Sequence, residues 1–335
     1  MYLDQWCFAD KLVRDRAGQL NDGDAGSYKF LRSAALDGSV IFPLSQVHYR
    51  ETWKRDHADA VWDTAVVMGE LSGFQTFSFS GLAEWEALKA VAALVGSVRE
   101  ISTPEPIGWG LAHCLRGREG AAHLVDVRTG QPARWDDLPE KLRYTVANLE
   151  RDAASLFELS MLARRAAPGL AVDLPMFAPV PDDAGTRFLG HEASIAAAIT
   201  TSGRSAAKVR NMLTLLAYRD SWQLLASAAL SLGLDPEVIV IDDITKVDAL
   251  VKAMPIQQTF TALRTQTHLK GNWKGSPSDL LDFLALATVV PFADYYVADK
   301  KTYNLARDAD LGQAEGCHIV HRLSDLCDLL RQRLS

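Results

Sequence analysis

Apolar residues recur at helical spacing over most of this chain, and only a few short β-branched or aromatic runs interrupt them. The most informative stretch is Ser276 to Lys301, SPSDLLDFLALATVVPFADYYVADKK. Ser276, Pro277 and Asp279 have the order of an N-cap, a first-turn proline and an acidic third helical residue, so a helix is expected to begin there. Leu280, Phe283, Leu284, Leu286 and Ala287 make that helix apolar on most sides, while Asp279 and Asp282, three apart, share one face. Tyr295, Tyr296 and Val297 then favour a strand that ends on Asp299, ahead of the helical run KKTYNLARDADLG. The start of the chain mirrors this unit, since Tyr2 and Leu3 form a very short strand that delivers Asp4 to the head of a helix over Gln5 to Arg16.

After a loop by composition, NDGDAGS, Tyr28 to Leu36 reads as a short helix. In SVIFPLS, Val40 to Phe42 read as a buried parallel strand ended by Pro43. Ser45 is then placed to cap one long helix from Gln46 to Leu71, with His48 and Glu51 in its first two turns. From Ser80 to Leu234 the texture changes to long Ala/Leu-rich helical patterns, with weak strand candidates such as HLVDV. Helical hairpins are expected over Leu138 to Ala166 and His191 to Leu232, separated by the Pro-rich loop Leu174 to Asp183. PEVIVIDD, Pro236 to Asp243, is read as a strand or a turn into the next helix, Ala262 to Trp273 as a further helix, His318 to Val320 as a last strand and Leu323 to Leu334 as a closing helix.

Strand-then-helix units at both ends and helices between them predict an α/β fold with a Rossmann-like parallel sheet and a large, mostly helical insertion. Residues 1–79 and 235–335 would form the discontinuous α/β domain and residues 80–234 the insertion.

With 335 residues and 48% hydrophobic composition the chain can bury one large core or two ordinary ones. A formal charge of -7 argues against sequence-independent coating of nucleic acid, though not against a local basic patch beside an acidic site. Four scattered cysteines without a C-x-x-C pair indicate neither a zinc ribbon nor a disulfide scaffold, which makes a reduced cytoplasm the default location. No basic leader with an apolar core opens the sequence, and no apolar run approaches membrane-spanning length, so no membrane partner is expected.

The carboxylates carry the candidate chemistry. In an open α/β sheet the C-terminal ends of the strands are where ligands bind, so Asp4, Glu51, Asp282 and Asp299 are expected to converge, with Asp279 and Asp294 as further ligands. Four bare anions cannot share a small site without protonation or a cation, and oxygen-only ligands select Mg²⁺ or Mn²⁺. Such ions activate water and stabilise an in-line displacement at phosphorus. Each acid also has a plain structural reading: Asp4 and Asp299 as N-caps, Asp279 as a capping-box acid, Asp294 as a turn residue, and Glu51 as a surface acid paired with Lys54 or Arg55. Asp282 has no capping explanation. His48 either orients phosphate or is a satisfied structural histidine. Cys317, His318 and His321 are a poor zinc set, because alternation along a strand separates neighbours and no fourth ligand is evident. Lys270, Trp273, Lys274, Lys300 and Lys301 are candidates for holding phosphates and stacking a base, against the alternative of an exposed polar loop with one packed Trp.

Asp4 after the first strand, Glu51 in the PLS-x-x-H-x-x-E segment, Asp282 on an apolar helix and Asp299 in VPFADYYVADK together resemble the PIN domain, and in particular a divergent PIN-like branch of bacterial proteins that begins near YLDQ. The resemblance covers roughly residues 1 to 75 and 240 to 335. It implies a Mg²⁺- or Mn²⁺-dependent nuclease, mostly acting on RNA and secondarily on single-stranded DNA, in which Asp4, Glu51, Asp282 and Asp299 are catalytic. Toxin, defence and RNA-processing roles are all found in such a family, and the insertion would restrict the substrate, hold a homodimer or receive an inhibitor protein. The chain departs from the pattern at Gln5 and Trp6, where many members have a small or apolar residue followed by Asn or Val, and at Ala298, where Thr or Ser commonly precedes the acid. The alternative from another class is a PIN-like interaction module whose acids bind no metal. Haloacid-dehalogenase phosphatase chemistry needs a second Asp two residues after the first, and Trp6 stands there.

Overall fold

A computed structural model describes residues 1–115, 151–164, 184–203, 205–271, 275–313 and 316–334. In chain order the first elements are β1 (Tyr2–Leu3), a π-helix (Cys7–Leu12), α1 (Val13–Arg16), α2 (Ser27–Leu36), α3 (Gln46–Trp53), α4 (Ala58–Ser72), β2 (Gln75–Phe77) and α5 (Phe79–Leu94). There follow β3 (Ile107–Trp109), α6 (Gly110–Cys114), α7 (Arg151–Ala163), α8 (Ala184–Ser202), α9 (Ala206–Asp220), α10 (Trp222–Ser231), a 3₁₀ turn (Pro236–Ile239), α11 (Ile244–Lys252) and α12 (Pro255–Lys270). The chain closes with α13 (Asp279–Val289), β4 (Tyr295–Val297), α14 (Lys300–Asp308), β5 (His318–Val320) and α15 (Leu323–Leu334). The described chain is therefore mostly helical with short strands, an α/β composition. It divides into two compact units: residues 1–78, 107–181 and 322–335, and residues 79–106 and 182–321.

In the first unit, β2 and β3 pair antiparallel, with Thr76 opposite Gly108. The expected strand at Val40 to Phe42 is not formed. Only Leu44 makes a parallel bridge to Thr76, its N–H donating to the Gln75 carbonyl at 2.7 Å, because Pro43 before it has no N–H to give. The expected single helix from Gln46 to Leu71 is two, α3 and α4, broken over Lys54 to His57. Those four consecutive polar residues offer nothing to bury at helical spacing. Ser45 does cap α3, accepting from Val47 N–H. The expected hairpin over Leu138 to Ala166 is described only through α7, while HLVDV and the Pro-rich loop lie outside the described residues.

The second unit has a helical core. Ala87 and Val91 of α5, Leu225 and Ala229 of α10, Ile239, Leu250 and Met254 are buried together. The PEVIVIDD segment is a 3₁₀ turn followed by extended chain, with Asp235 accepting from Glu237 N–H and Pro236 at the first position. The His191 to Leu232 pattern resolves into three helices rather than a hairpin. β4 and β5 pair in parallel, Tyr296 opposite Ile319, and this pairing extends through Ala298 N–H to the Val320 carbonyl at 2.9 Å. Gly312 is required just before β5: its φ is +93°, and a Cβ there would lie 2.4 Å from the Cys317 carbonyl oxygen.

Candidate functional site

Asp4 lies at the end of β1, and its carbonyl accepts from Cys7 N–H at 3.0 Å as the chain turns into the helix. Two side-chain bonds fasten this turn to α3. His48 Nε2 donates to the Leu3 carbonyl at 2.7 Å, and Gln5 Nε2 donates to Thr52 Oγ1 at 2.9 Å. Leu3 and Gln5 flank Asp4, and His48 and Thr52 bracket Glu51, so the two partly exposed acids stand on elements pinned to each other on both sides. Both act on one phenol: burial pushes the Tyr2 pKa well up, and the nearby Asp4 and Glu51 charges push it further. Tyr2 itself shares a 2.7 Å hydrogen bond with Ser45 Oγ.

His48 is fully buried and both ring nitrogens are used, Nδ1 accepting from Ser45 N–H at 3.0 Å. Nε2 therefore carries the proton, and burial holds the pKa down at about 4. This is the structural histidine of the two sequence readings. It clamps β1 to the head of α3.

The same corner holds a concentration of unpaired polar atoms. In the first unit the buried side-chain atoms without a hydrogen-bond partner among the described residues are Gln5 Oε1, Trp6 Nε1 and Tyr49 Oη. All belong to residues within two positions of Asp4 or Glu51. Burial raises the Tyr49 pKa, and the Glu158 carboxylate beside it raises it further. An orphaned buried donor or acceptor costs about 1–3 kcal/mol, so such atoms are rare unless something else meets them. Directly after Trp6 the helix winds as a π-helix from Cys7 to Leu12, a rare form that is frequent at functional sites.

In the second unit, Asp279 is 1% exposed and opens α13. Ser276 Oγ donates to it at 2.6 Å instead of capping the helix, and Lys301 Nζ forms an ion pair with the same oxygen. The helix consequently starts two residues later than its Ser-Pro-x-Asp signature suggests. Asp282 follows one turn on, partly exposed. Asp299 is the N-cap of α14: Oδ1 accepts from Lys301 N–H at 2.6 Å and Thr302 N–H at 3.1 Å, while Oδ2 accepts from the Thr302 hydroxyl at 2.7 Å. Asp294 is exposed ahead of β4, and its carbonyl accepts from His318 N–H at 2.8 Å.

Among the candidate substrate lysines, Lys270 pairs with Asp308 at 2.6 Å, Lys301 holds Asp279, and Lys300 is exposed at the head of α14. Trp273 and Lys274 lie outside the described residues. The rings of His318 and His321 pack against Tyr295 and Tyr303, respectively.

Among the described residues no group of three or more His, Cys, Asp or Glu gathers as a metal-ligand set. The donor chemistry of the Asp4 corner still fits a hard cation, because two carboxylates and the carboxamide oxygen of Gln5 are all oxygen donors. In the sequence Gln5 stands only as a departure from the family's pattern. Its signal was present only in the pairing with Thr52, 47 positions away. Comparison of the chain with protein-family models, with curated proteins and with solved structures found no match. Among the described residues no helix is long and apolar enough to cross a membrane.

Proposed function

We propose that this chain is a PIN-like, Mg²⁺- or Mn²⁺-dependent nuclease that hydrolyses phosphodiester bonds, with RNA as its substrate class and the cytoplasm as its compartment. In this reading Asp4 and Glu51 are the carboxylates that hold the ion, and Asp282, Asp299, Asp279 and Asp294 are the remaining candidate acids. The reading rests most heavily on the Asp4 corner, where two acids share one phenol's surroundings amid unpaired polar atoms. A bound divalent ion would supply Lewis acidity toward the scissile phosphate and a water of lowered pKa. The chain's own part is to fix the acids: His48 and Gln5 tie Asp4 to the helix of Glu51, and the α14 cap fixes Asp299.

Asp4→Asn and Asp299→Asn test it. Asn keeps the size and the capping ability and loses the charge, so each variant should fold as the parent does and lose Mn²⁺-dependent cleavage of a mixed RNA pool by at least about 100-fold, a loss of about 2.7 kcal/mol of transition-state stabilisation. Parent-like cleavage by both variants would remove these acids from the reaction.

One observation favours the interaction-module reading. Asp299 already accepts two backbone N–H groups and a hydroxyl, and Asp279 already has an ammonium partner, so both acids have structural work without any ion. Parent protein that neither binds Mn²⁺ nor cleaves RNA would select that reading.

A further inference from the structure

We infer that the extended stretch Val240 to Asp243 in the second unit is an open strand edge that takes up a basic, extended segment of a partner protein. The stretch runs between the 3₁₀ turn and α11 and is bonded along one side only. Tyr218 of α9 donates its phenol proton to the Ile239 carbonyl and accepts from Ile241 N–H at 3.3 Å, holding alternate residues as a neighbouring strand would. The backbone groups of successive residues in an extended chain point to opposite edges, so the Val240 carbonyl and the Asp242 N–H face away from Tyr218. Neither has a hydrogen-bond partner among the described residues. A strand laid alongside would donate to the first and accept from the second.

Side chains decide what that strand carries. Ile239 is buried and Ile241 packs against the same core, while Val240 is 67% exposed and Asp242 is exposed beside it. Asp235, Glu237, Asp242 and Asp243 are all exposed, and no Lys, Arg or His stands between Leu232 and Thr245. A second copy of this edge would bring acids against acids, which destabilises a strand pair, and the same charge repels RNA. A segment that alternates apolar and basic residues meets Val240 with the one and the acids with the other.

Fluorescence anisotropy of a labelled short peptide of alternating lysine and valine, titrated with the whole chain, tests the inference. The peptide should bind saturably and more weakly as salt rises. The same peptide methylated on its backbone nitrogens keeps its side chains and charge but cannot donate to the edge, and it should bind about 10-fold more weakly. Removing two charges from the edge by Glu237→Gln with Asp242→Asn should weaken binding of the unmethylated peptide by about 5-fold and flatten the salt dependence. Failure of the parent chain to bind the peptide overturns the inference, and so does equal binding of the methylated form, which would mean contact without strand pairing. Equal binding of a glutamate–valine peptide overturns the basic partner. Sedimentation of the parent without peptide tests the other occupant: a dimer that Val240→Asp dissociates would give the edge to a second copy. The first two comparisons alter only the peptide, so they stand whether or not a variant folds.

Discussion

The imidazole of His48 sits in the dry interior of the first unit with both nitrogens bonded to backbone. Protonation would leave Nδ1 as a second donor facing the Ser45 N–H that it now accepts from. The folded pKa, about 4, is below the ordinary value of 6.5, so the unfolded chain binds this proton more readily. The contribution of neutral His48 is therefore fully present above pH 6.5 and is lost as pH falls toward 4, by up to about 3 kcal/mol. Urea unfolding of the parent should show that slope between pH 6.5 and 4, and His48→Gln should flatten it; an equal slope in the variant would assign the acid sensitivity to other groups. At this scale the sequence was informative where the cause is local. A strand-end Asp before a helix announces a cap, and Asp299 is one. Gln5 was opaque, because its unpaired oxygen depends on a partner on another helix.

Helix boundaries show the same division between near and distant causes. Pro255 marks the first residue of α12 as the sequence rule for N-termini would have it, but Met254 before it supplies no side-chain cap. The first N–H without an intrahelical partner is Ile256, and it is met by both carboxyl oxygens of Glu86 from α5, at 3.1 and 3.0 Å. No local pattern can reveal a cap supplied from 170 residues away. Burial raises the Glu86 pKa to about 8, opposed by the Ile256 N–H and by Lys89. Here the sign is opposite to that of His48. The folded state holds the proton more tightly than the unfolded chain, so the contribution is fully present below about pH 4.5 and is lost as pH rises through 8, by up to about 5 kcal/mol. Glu86→Gln keeps an acceptor for Ile256 and cannot ionise. It should be within about 1 kcal/mol of the parent at pH 5 and clearly more stable at pH 9; thermal unfolding at the two pH values decides it, and a variant less stable at both would show that the carboxyl is needed charged.

On the scale of the molecule, the reading of the chain as strand-then-helix units at its two ends located β1, β4 and β5 but put a strand at Val40 to Phe42 where only one bridge forms. It also left β2 and β3 unseen, since QTF and IGW are too short for alternation to register. Composition labelled NDGDAGS a loop, correctly, and was silent on what the loop does. Asp24 is 7% exposed, pairs with Lys11 at 3.1 Å, and accepts at 3.0 Å from the N–H of Ser324 in the first turn of α15. A residue near the start of the chain thus caps its last helix within the first unit, while Arg331 of that helix lies over the Phe30 ring, 4.8 Å from its centroid. Asp24→Ala leaves the Ser324 N–H and the Lys11 ammonium each one acceptor short and should destabilise the first unit by about 1–3 kcal/mol. Asp24→Asn keeps an acceptor and should recover part of that loss. Because the bond acts at one end of one helix, amide hydrogen exchange should quicken in α15 before it does in α4, whose core residues Ala65, Val67 and Met68 are fully buried. Unchanged exchange in α15 of Asp24→Ala would mean that the apolar face of Leu326, Cys327 and Leu330 alone holds the chain's last helix in place.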